Sequence, residues 1–267
     1  MVTFEKVKKK NLSILLGYGF AEQKTKSKYE WARYGGPCTL ILYNSGKLVL
    51  QGNRNEISRI KNVLKKLGIG QELQKDEFKE ETGVVIGSDE TLKGDTFGGL
   101  IVAGVKADDK IRKKLRKLNI RESKSMDDSQ IPELAEKIKK IASYSIKNIY
   151  PEEYNKCQLT SLLNQLHRGV KKDLGTGLHI VDKYPGCMVG DLIVERADSK
   201  YIEVAAASVI AREEALKQLK DLSSKAGFEL PKGSTHVSGA LKELKKRGLE
   251  FKKFVKLHFK NVQEILS

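Results

Sequence analysis

Two adjacent acids, Asp89 and Glu90, follow the apolar run Val84-Val85-Ile86, with only Gly87 and Ser88 between. A carboxylate at the end of a buried strand is unusual, because taking an unpaired charge out of water is costly. A bound cation removes that cost. Asp182 closes a second apolar run, Ile180-Val181, before the turn Tyr184-Pro185-Gly186, and Asp198 precedes a helical pattern that starts near Tyr201. Each has an ordinary alternative when taken singly. Asp-Glu pairs are common on surfaces, and an Asp before a helix often caps it by accepting backbone amide hydrogens. Together, four acids at the ends of core elements can converge at one edge of a sheet and hold two Mg²⁺ or Mn²⁺ ions, hard cations that take oxygen ligands. Two such ions about 4 Å apart are a usual arrangement for phosphodiester cleavage, one activating water and the other stabilising the leaving oxygen. No histidine, serine or cysteine nucleophile is then required.

The elements that must position these acids are visible as periodicities. Residues 83–267 read as an α/β domain with a mixed sheet: strand runs at 84–86, 100–105, 179–181 and 192–194 are interleaved with helical patterns. Those helices carry Ile131, Leu134, Ile138 and Ile141, then Leu159, Leu162, Leu163 and Leu166, then Ile202, Ala205, Ala206, Val209 and Leu216. Two C-terminal helices follow, the last presenting Phe251, Phe254, Val255 and Phe259 on one face. Residues 1–68 read as a smaller α+β unit: a helix over 3–17, a strand over 29–34, a hairpin around Asn44-Ser45-Gly46, and a helix marked by Ile57, Ile60, Val63, Leu64 and Leu67 that Gly68 ends. The charged stretch 69–82 reads as a linker.

Composition narrows the function classes. The formal charge is +16, from 50 basic and 34 acidic side chains, a bias that attracts polyanions; a lysine-rich surface that binds nothing in particular would look the same. Cys38, Cys157 and Cys187 are scattered, which argues against a disulfide framework or a zinc ribbon. The four histidines lack HExxH spacing and no GxxxxGK[ST] loop is present. No apolar run reaches the length of a bilayer span, and MVTFEKVKKK lacks the apolar stretch of a signal peptide. The chain is therefore expected to be cytoplasmic and free of any membrane, and no protein partner is implied, which suits a monomer.

Residues 87–105, GSDETLKGDTFGGLIVAGV, resemble the opening motif of the ribonuclease HIII family, a strand followed by Asp-Glu and a glycine-containing loop. The segment 122–128, ESKSMDD, is similar to the family's Asp-Ser-Lys segment, HIVDKYP to its third-acid strand, and ERADSKYIEVAAASVIAR to the fourth-acid helix shared by ribonucleases HII and HIII. LPKGSTHV and KLHFKN match the C-terminal pattern, in the family's order. Upstream, ARYGGPCTLILYNSGKLVLQG resembles the TATA-binding-protein-like domain of ribonuclease HIII, which ribonuclease HII lacks. The resemblance implies an RNase H-like catalytic domain behind a small hybrid-binding unit, and hydrolysis of the RNA strand of an RNA–DNA hybrid. It also implies that Asp89 contacts both metal ions, while Glu90, Asp182 and Asp198 complete their shells.

The chain departs from the family pattern in places. Leu92 stands where glycine is usual, Gly99 where proline is common, Glu122 where Asp precedes Ser-Lys, and Asp198 where ribonuclease HIII has glutamate. The connection from Asp182 to Asp198 is short, which reads as a trimmed loop or hairpin. By family position Lys93, Gly94 and Lys124 are candidates for substrate contact, and in the small unit Arg33, Lys47 and Gln51. Trp31 is expected in the core of that unit, and His167 and His258 read as structural histidines on apolar helix faces. Two other activities suit the same residues: incision at single ribonucleotides in DNA, as by ribonuclease HII, and hybrid binding without cleavage.

Overall fold

The computed structural model describes residues 2–72, 78–120, 123 and 126–267, and the chain divides into two compact units, Met1–Glu77 and Phe78–Ser267. In the first, β1 (Val2–Glu5), β2 (Ala21–Gln23), β3 (Glu30–Gly35), β4 (Thr39–Tyr43), β5 (Leu48–Gln51) and β6 (Gln71–Glu72) pair as one antiparallel sheet, in the order β2-β3-β4-β5-β1-β6. Helix α1 (Arg54–Lys66) is opened by Asn53, whose side chain accepts from the Asn55 amide at 2.9 Å. Its buried face, Ile57, Ile60 and Leu64, joins Leu12, Leu15, Leu40, Leu42, Leu48 and Leu50 in a separate core.

Two expectations change here. The helix over 3–17 is replaced by β1 and a 3₁₀ helix at Lys9–Tyr18; residues 2–5 pair with β5 on one side and β6 on the other, so the sheet takes up backbone groups that a helix would have used internally. The stretch 69–82 also does more than connect. Ile69 is buried in the first core and Gln71–Glu72 pairs with β1, while Phe78 packs on the core of the second unit and the Lys79 amide donates to the Lys200 carbonyl at 2.7 Å.

The second unit is built on β7 (Val85–Thr91), β8 (Leu100–Ala107), β9 (Ser143–Ile149), β10 (Leu178–Asp182) and β11 (Leu192–Val194). Their order is β11-β10-β7-β8-β9. β7, β8 and β9 are antiparallel neighbours, β10 runs parallel to β7, and β11 parallel to β10. The short connection after Asp182 is thus no hairpin: it returns the chain to a parallel edge strand. Helices α2 (Asp109–Arg116), α3 (Ile131–Ile141), α4 (Pro151–Tyr154), α5 (Leu159–Leu174), α6 (Ala197–Lys200), α7 (Ile202–Ala226), α8 (Ser238–Lys246) and α9 (Lys260–Leu266) complete it. Residues 254–259, expected on a helix, instead form turns around an isolated bridge from Val255 to Phe97.

β7 is central and covered on both faces, which is why 85–88 lacks the polar alternation of a half-exposed strand. Helix α7 lies so close to it that a side chain on Gly87 would meet the Val204 nitrogen at 2.3 Å. Small residues of α7, among them Ala205, Ala206, Ala207 and Ala211, allow that approach. A buried ion pair, Arg112 to Glu203 at 2.8 Å, ties α2 to the start of α7.

The turn after β7 is set by Leu92. Its φ is 65°, the left-handed region that glycine enters freely, so the backbone keeps a glycine conformation with leucine in place. The side chain is buried in the main core and lies over Gly98. Left-handed geometry costs a leucine about 1–2 kcal/mol, whereas truncating a buried leucine costs about 2–5 kcal/mol, so burial wins. L92G should lower unfolding stability by about 2 kcal/mol in urea titration; equal stability would show that strain relief cancels the lost packing.

Candidate active site

Strand alternation sends Asp89 and Glu90 to opposite faces of the sheet. Asp89 shares the face of Gly87 toward α7, where Ser208 hydrogen-bonds its carboxylate. Glu90 shares the face of Ser88 toward α5, where His167 lies. Parallel pairing aligns Val181 with Ser88, so Asp182 ends β10 beside Asp89, and the two acids share the carboxyl edge where α/β sheets gather their ligands. Asp198 sits inside the one-turn helix α6, placed by the left-handed Arg196 (φ 54°), rather than capping α7, whose N-terminal cap position is Tyr201.

The four acids feel one another. Burial above all, then the charges of Glu90, Asp182 and Asp198, push Asp89 up to about 8, against a hydrogen bond from Ser208. Asp182 is also raised, chiefly by burial and by Asp198 and Glu90, although its Oδ1 accepts the Ala197 amide at 2.9 Å. Glu90 goes the other way: burial works to raise it, but His167 and Lys93 outweigh burial and hold it below the usual carboxylate range. Lys93 reaches back to Glu90 Oε1 from the following turn, with its ammonium 5.9 Å from the Tyr184 ring centre.

The other Glu90 oxygen, Oε2, is buried with no hydrogen-bond partner among the described residues, as is His167 Nε2 opposite it at 3.6 Å. That distance is too long for a hydrogen bond, so the tie between them is electrostatic. On the far side of the imidazole, Ser88 Oγ lies 2.8 Å from His167 Nδ1 and 2.8 Å from His179 Nε2, all three residues buried. One hydroxyl can serve both rings only by donating to one and accepting from the other. If Ser88 donates to His167 Nδ1, the Nε2 proton faces Glu90, and His179 donates to Ser88; the reverse would aim two lone-pair atoms at each other. His179 is pushed down to about 4, mainly by burial, in keeping with a neutral ring.

Among the described residues no three acid, imidazole or thiol groups already stand at ligand distance from one point. Glu90 and Asp182 are turned to Lys93 and the Ala197 amide, and Asp89 to Ser208. The residues nonetheless fit a hard divalent cation. The donors are all carboxylate oxygens, and among the described residues one buried oxygen has no hydrogen-bond partner and no cationic side chain acts on the buried Asp89.

The remaining candidates divide. Gly94 is exposed, with open space where a side chain would be, and Lys124 and Glu122 lie outside the described residues. In the first unit Lys47 and Gln51 are exposed, whereas Arg33 is held by Glu30 through two hydrogen bonds of 3.0 and 2.8 Å. Trp31 is not in the core: it is 49% exposed, because Ala32 and Tyr34 take the buried positions and leave it on the opposite face of β3. His258 is exposed and stacks on Tyr154. Ser88, His179 and Ser208 escaped notice in the sequence, since a buried polar side chain within an apolar run looks like ordinary alternation. Only the Ser88-Asp89 junction hinted otherwise.

A central antiparallel hairpin extended by parallel strands, with acids at one edge, defines the ribonuclease H-like class of α/β fold. Comparison with known proteins agrees: residues 86–262 match the family described as ribonuclease HII. Ribonuclease HIII of Aquifex aeolicus (strain VF5) is 30% identical over 259 residues, covering 92% of this chain and 93% of its own. The chain belongs to this family of ribonucleases HII and HIII. Among solved structures, Aquifex aeolicus RNase H3 superposes with a TM-score of 0.56 at 28% identity, over 96% of this chain and 98% of that one. Bst-RNase HIII in complex with Mn²⁺ gives 0.64 at 23% identity, over 99% and 97%, a likeness of fold.

The raised Asp89 makes stability depend on pH. The folded state keeps this proton to about pH 8, the unfolded chain only to 3.8, so unfolding releases a proton between those values and stability falls as pH rises through the window. In EDTA, D89N should therefore unfold at a higher temperature than the parent at pH 8, the gap exceeding about 1 kcal/mol and closing toward pH 4. A gap independent of pH would mean that Asp89 is ionised throughout.

Proposed function

We propose that the chain is an endoribonuclease that hydrolyses the RNA strand of RNA–DNA hybrids with two divalent metal ions, Mg²⁺ or Mn²⁺, leaving 5′-phosphate and 3′-hydroxyl ends. The observation that carries this reading is the convergence of Asp89, Glu90, Asp182 and Asp198 on one sheet edge in a chain of this family. Those four would hold the metal ions. When bound, such ions activate a water and stabilise the leaving oxygen.

The protein's own groups prepare that edge. Asp89, whose proton is held by burial and the neighbouring acids, would ionise on holding a cation. Glu90 is kept ionised by Lys93 and His167, and His167 is itself aimed by Ser88 and His179. This indirect support resembles the outer hydrogen bonds that orient ligands in metal sites. Lys93 lies one turn from the acids and can exchange Glu90 for a substrate phosphate, while the open backbone at Gly94 can approach a ribose 2′-hydroxyl, the group that marks RNA. Lys124, outside the described residues, is a further candidate for substrate contact by its family position. The first unit, with Arg33, Lys47 and Gln51, holds the hybrid, and its exposed Tyr29 and Trp31 offer stacking faces. The enzyme acts as a cytoplasmic monomer, and among the described residues no helix is long and apolar enough to cross a membrane.

Labelled RNA–DNA hybrid, double-stranded RNA, double-stranded DNA, and DNA with one ribonucleotide, each with Mg²⁺ or Mn²⁺, form the test. Cutting is expected in the hybrid alone, and D89N should abolish it. Added cutting at the single ribonucleotide would move the assignment toward ribonuclease HII; tight hybrid binding without cutting would sink the hydrolase reading. H167A should keep its fold yet lose about 10- to 100-fold in activity or metal affinity, and full activity would remove His167 from the site.

A further inference from the structure

The turn bearing Lys93 and Gly94 is fastened by residues far along the chain. Lys256 is wholly buried, and its Nζ donates to the carbonyls of Asp95 at 2.6 Å and Gly98 at 2.8 Å. Among the described residues no ion pair reaches it, because the Asp95 carboxylate is taken by the Gly233 amide at 2.6 Å. The rings of Tyr154 and Phe259 flank the ammonium at 5.2 and 5.7 Å. Main-chain bonds run beside it, Lys256 to the Thr96 carbonyl and Gly98 to the Phe254 carbonyl, both 3.0 Å. Asn261 adds a further tie, its Nδ2 donating to Thr96 Oγ1 at 2.9 Å and to the Ser234 carbonyl at 3.0 Å.

An apolar side chain would fill the Lys256 site at lower cost than a buried ammonium. Burial pushes this lysine down to about 7, with Asp95 acting the other way. What the amine provides is two hydrogen bonds to carbonyls that have left the β7–β8 ladder, which an apolar side chain would leave unmade. Lys256 and Asn261 both belong to the motif KLHFKN, for which the carboxylate chemistry has no use.

We propose that Lys256 and Asn261 form a clasp through which the C-terminal segment sets the shape of residues 91–98, making both of them positioning residues for RNA-strand binding at Lys93 and Gly94. This assignment rests on the hydrolase reading given above for its substrate. The hydrogen bonds of the clasp end on the loop backbone, the Thr96 hydroxyl and the Ser234 carbonyl.

K256M keeps the volume of the side chain and removes its donors; N261A is the milder change should K256M fail to fold. Amide hydrogen exchange, without substrate, should speed up about tenfold or more in residues 92–98 of K256M and about threefold in N261A, with β7 unchanged. On the hybrid, KM should rise about tenfold and threefold respectively while kcat stays within about twofold. Unchanged exchange in the loop, or a fall in kcat at constant KM, would overturn the clasp. Exchange is read without substrate, so a parent protein that fails to cut the hybrid would sink the hydrolase reading while the clasp is still decided by the loop amides.

Discussion

Four carboxylates crowded at the end of a buried strand repel one another, and much of the second unit is arranged around that repulsion. Three of the acids have different remedies. Glu90 is balanced by Lys93 and faced by His167, Asp182 accepts the Ala197 amide, and Asp89, the most deeply placed, keeps its proton into the neutral range. A divalent cation would replace all three remedies at once, since an oxygen-ligand site satisfies the charges that now depend on protein partners. Buried like charges held in this way destabilise the fold and are kept where they serve chemistry.

The period of a β-strand imposes a second requirement. Neighbouring residues point to opposite faces, so Asp89 and Glu90 can act at one place only at the strand's end, with both faces covered by helices. On the α7 side, Gly87 and the alanines bring the helix down onto the sheet. On the α5 side, the space is filled by the Ser88, His167 and His179 contacts. Packing on one face and hydrogen bonding on the other thus fix the same two carboxylates.

The turn beyond the acids is held by different forces at its two ends. Leu92 anchors its start by burial strong enough to sustain a left-handed backbone. Lys256 anchors its end by hydrogen bonds to carbonyls. A loop so held keeps Lys93 close to Glu90 and leaves Gly94 open to solvent, which suits contact with a substrate backbone.

Much of this was legible in one dimension. Apolar runs ending in acid marked β7 and β10, helical spacing marked α1, α3, α5 and α7, and the order of motifs pointed to the four carboxylates, because local pattern and burial coincide in those elements. Elsewhere the decision was not local. β1 replaced a helix because β5 and β6 offered pairing partners, and residues 254–259 became turns around the bridge between Val255 and Phe97. Trp31 moved to the surface because Ala32 and Tyr34 occupy the inner face of β3. The sequence by itself determined which residues carry charge, which runs are apolar and how the strand period divides Asp89 from Glu90. Only the tertiary structure decided that Ser88, His167, His179, Ser208 and Lys256 belong to the site and its loop, since their partners lie far away in the chain and hydrogen bonding between them depends on distances that no periodicity encodes.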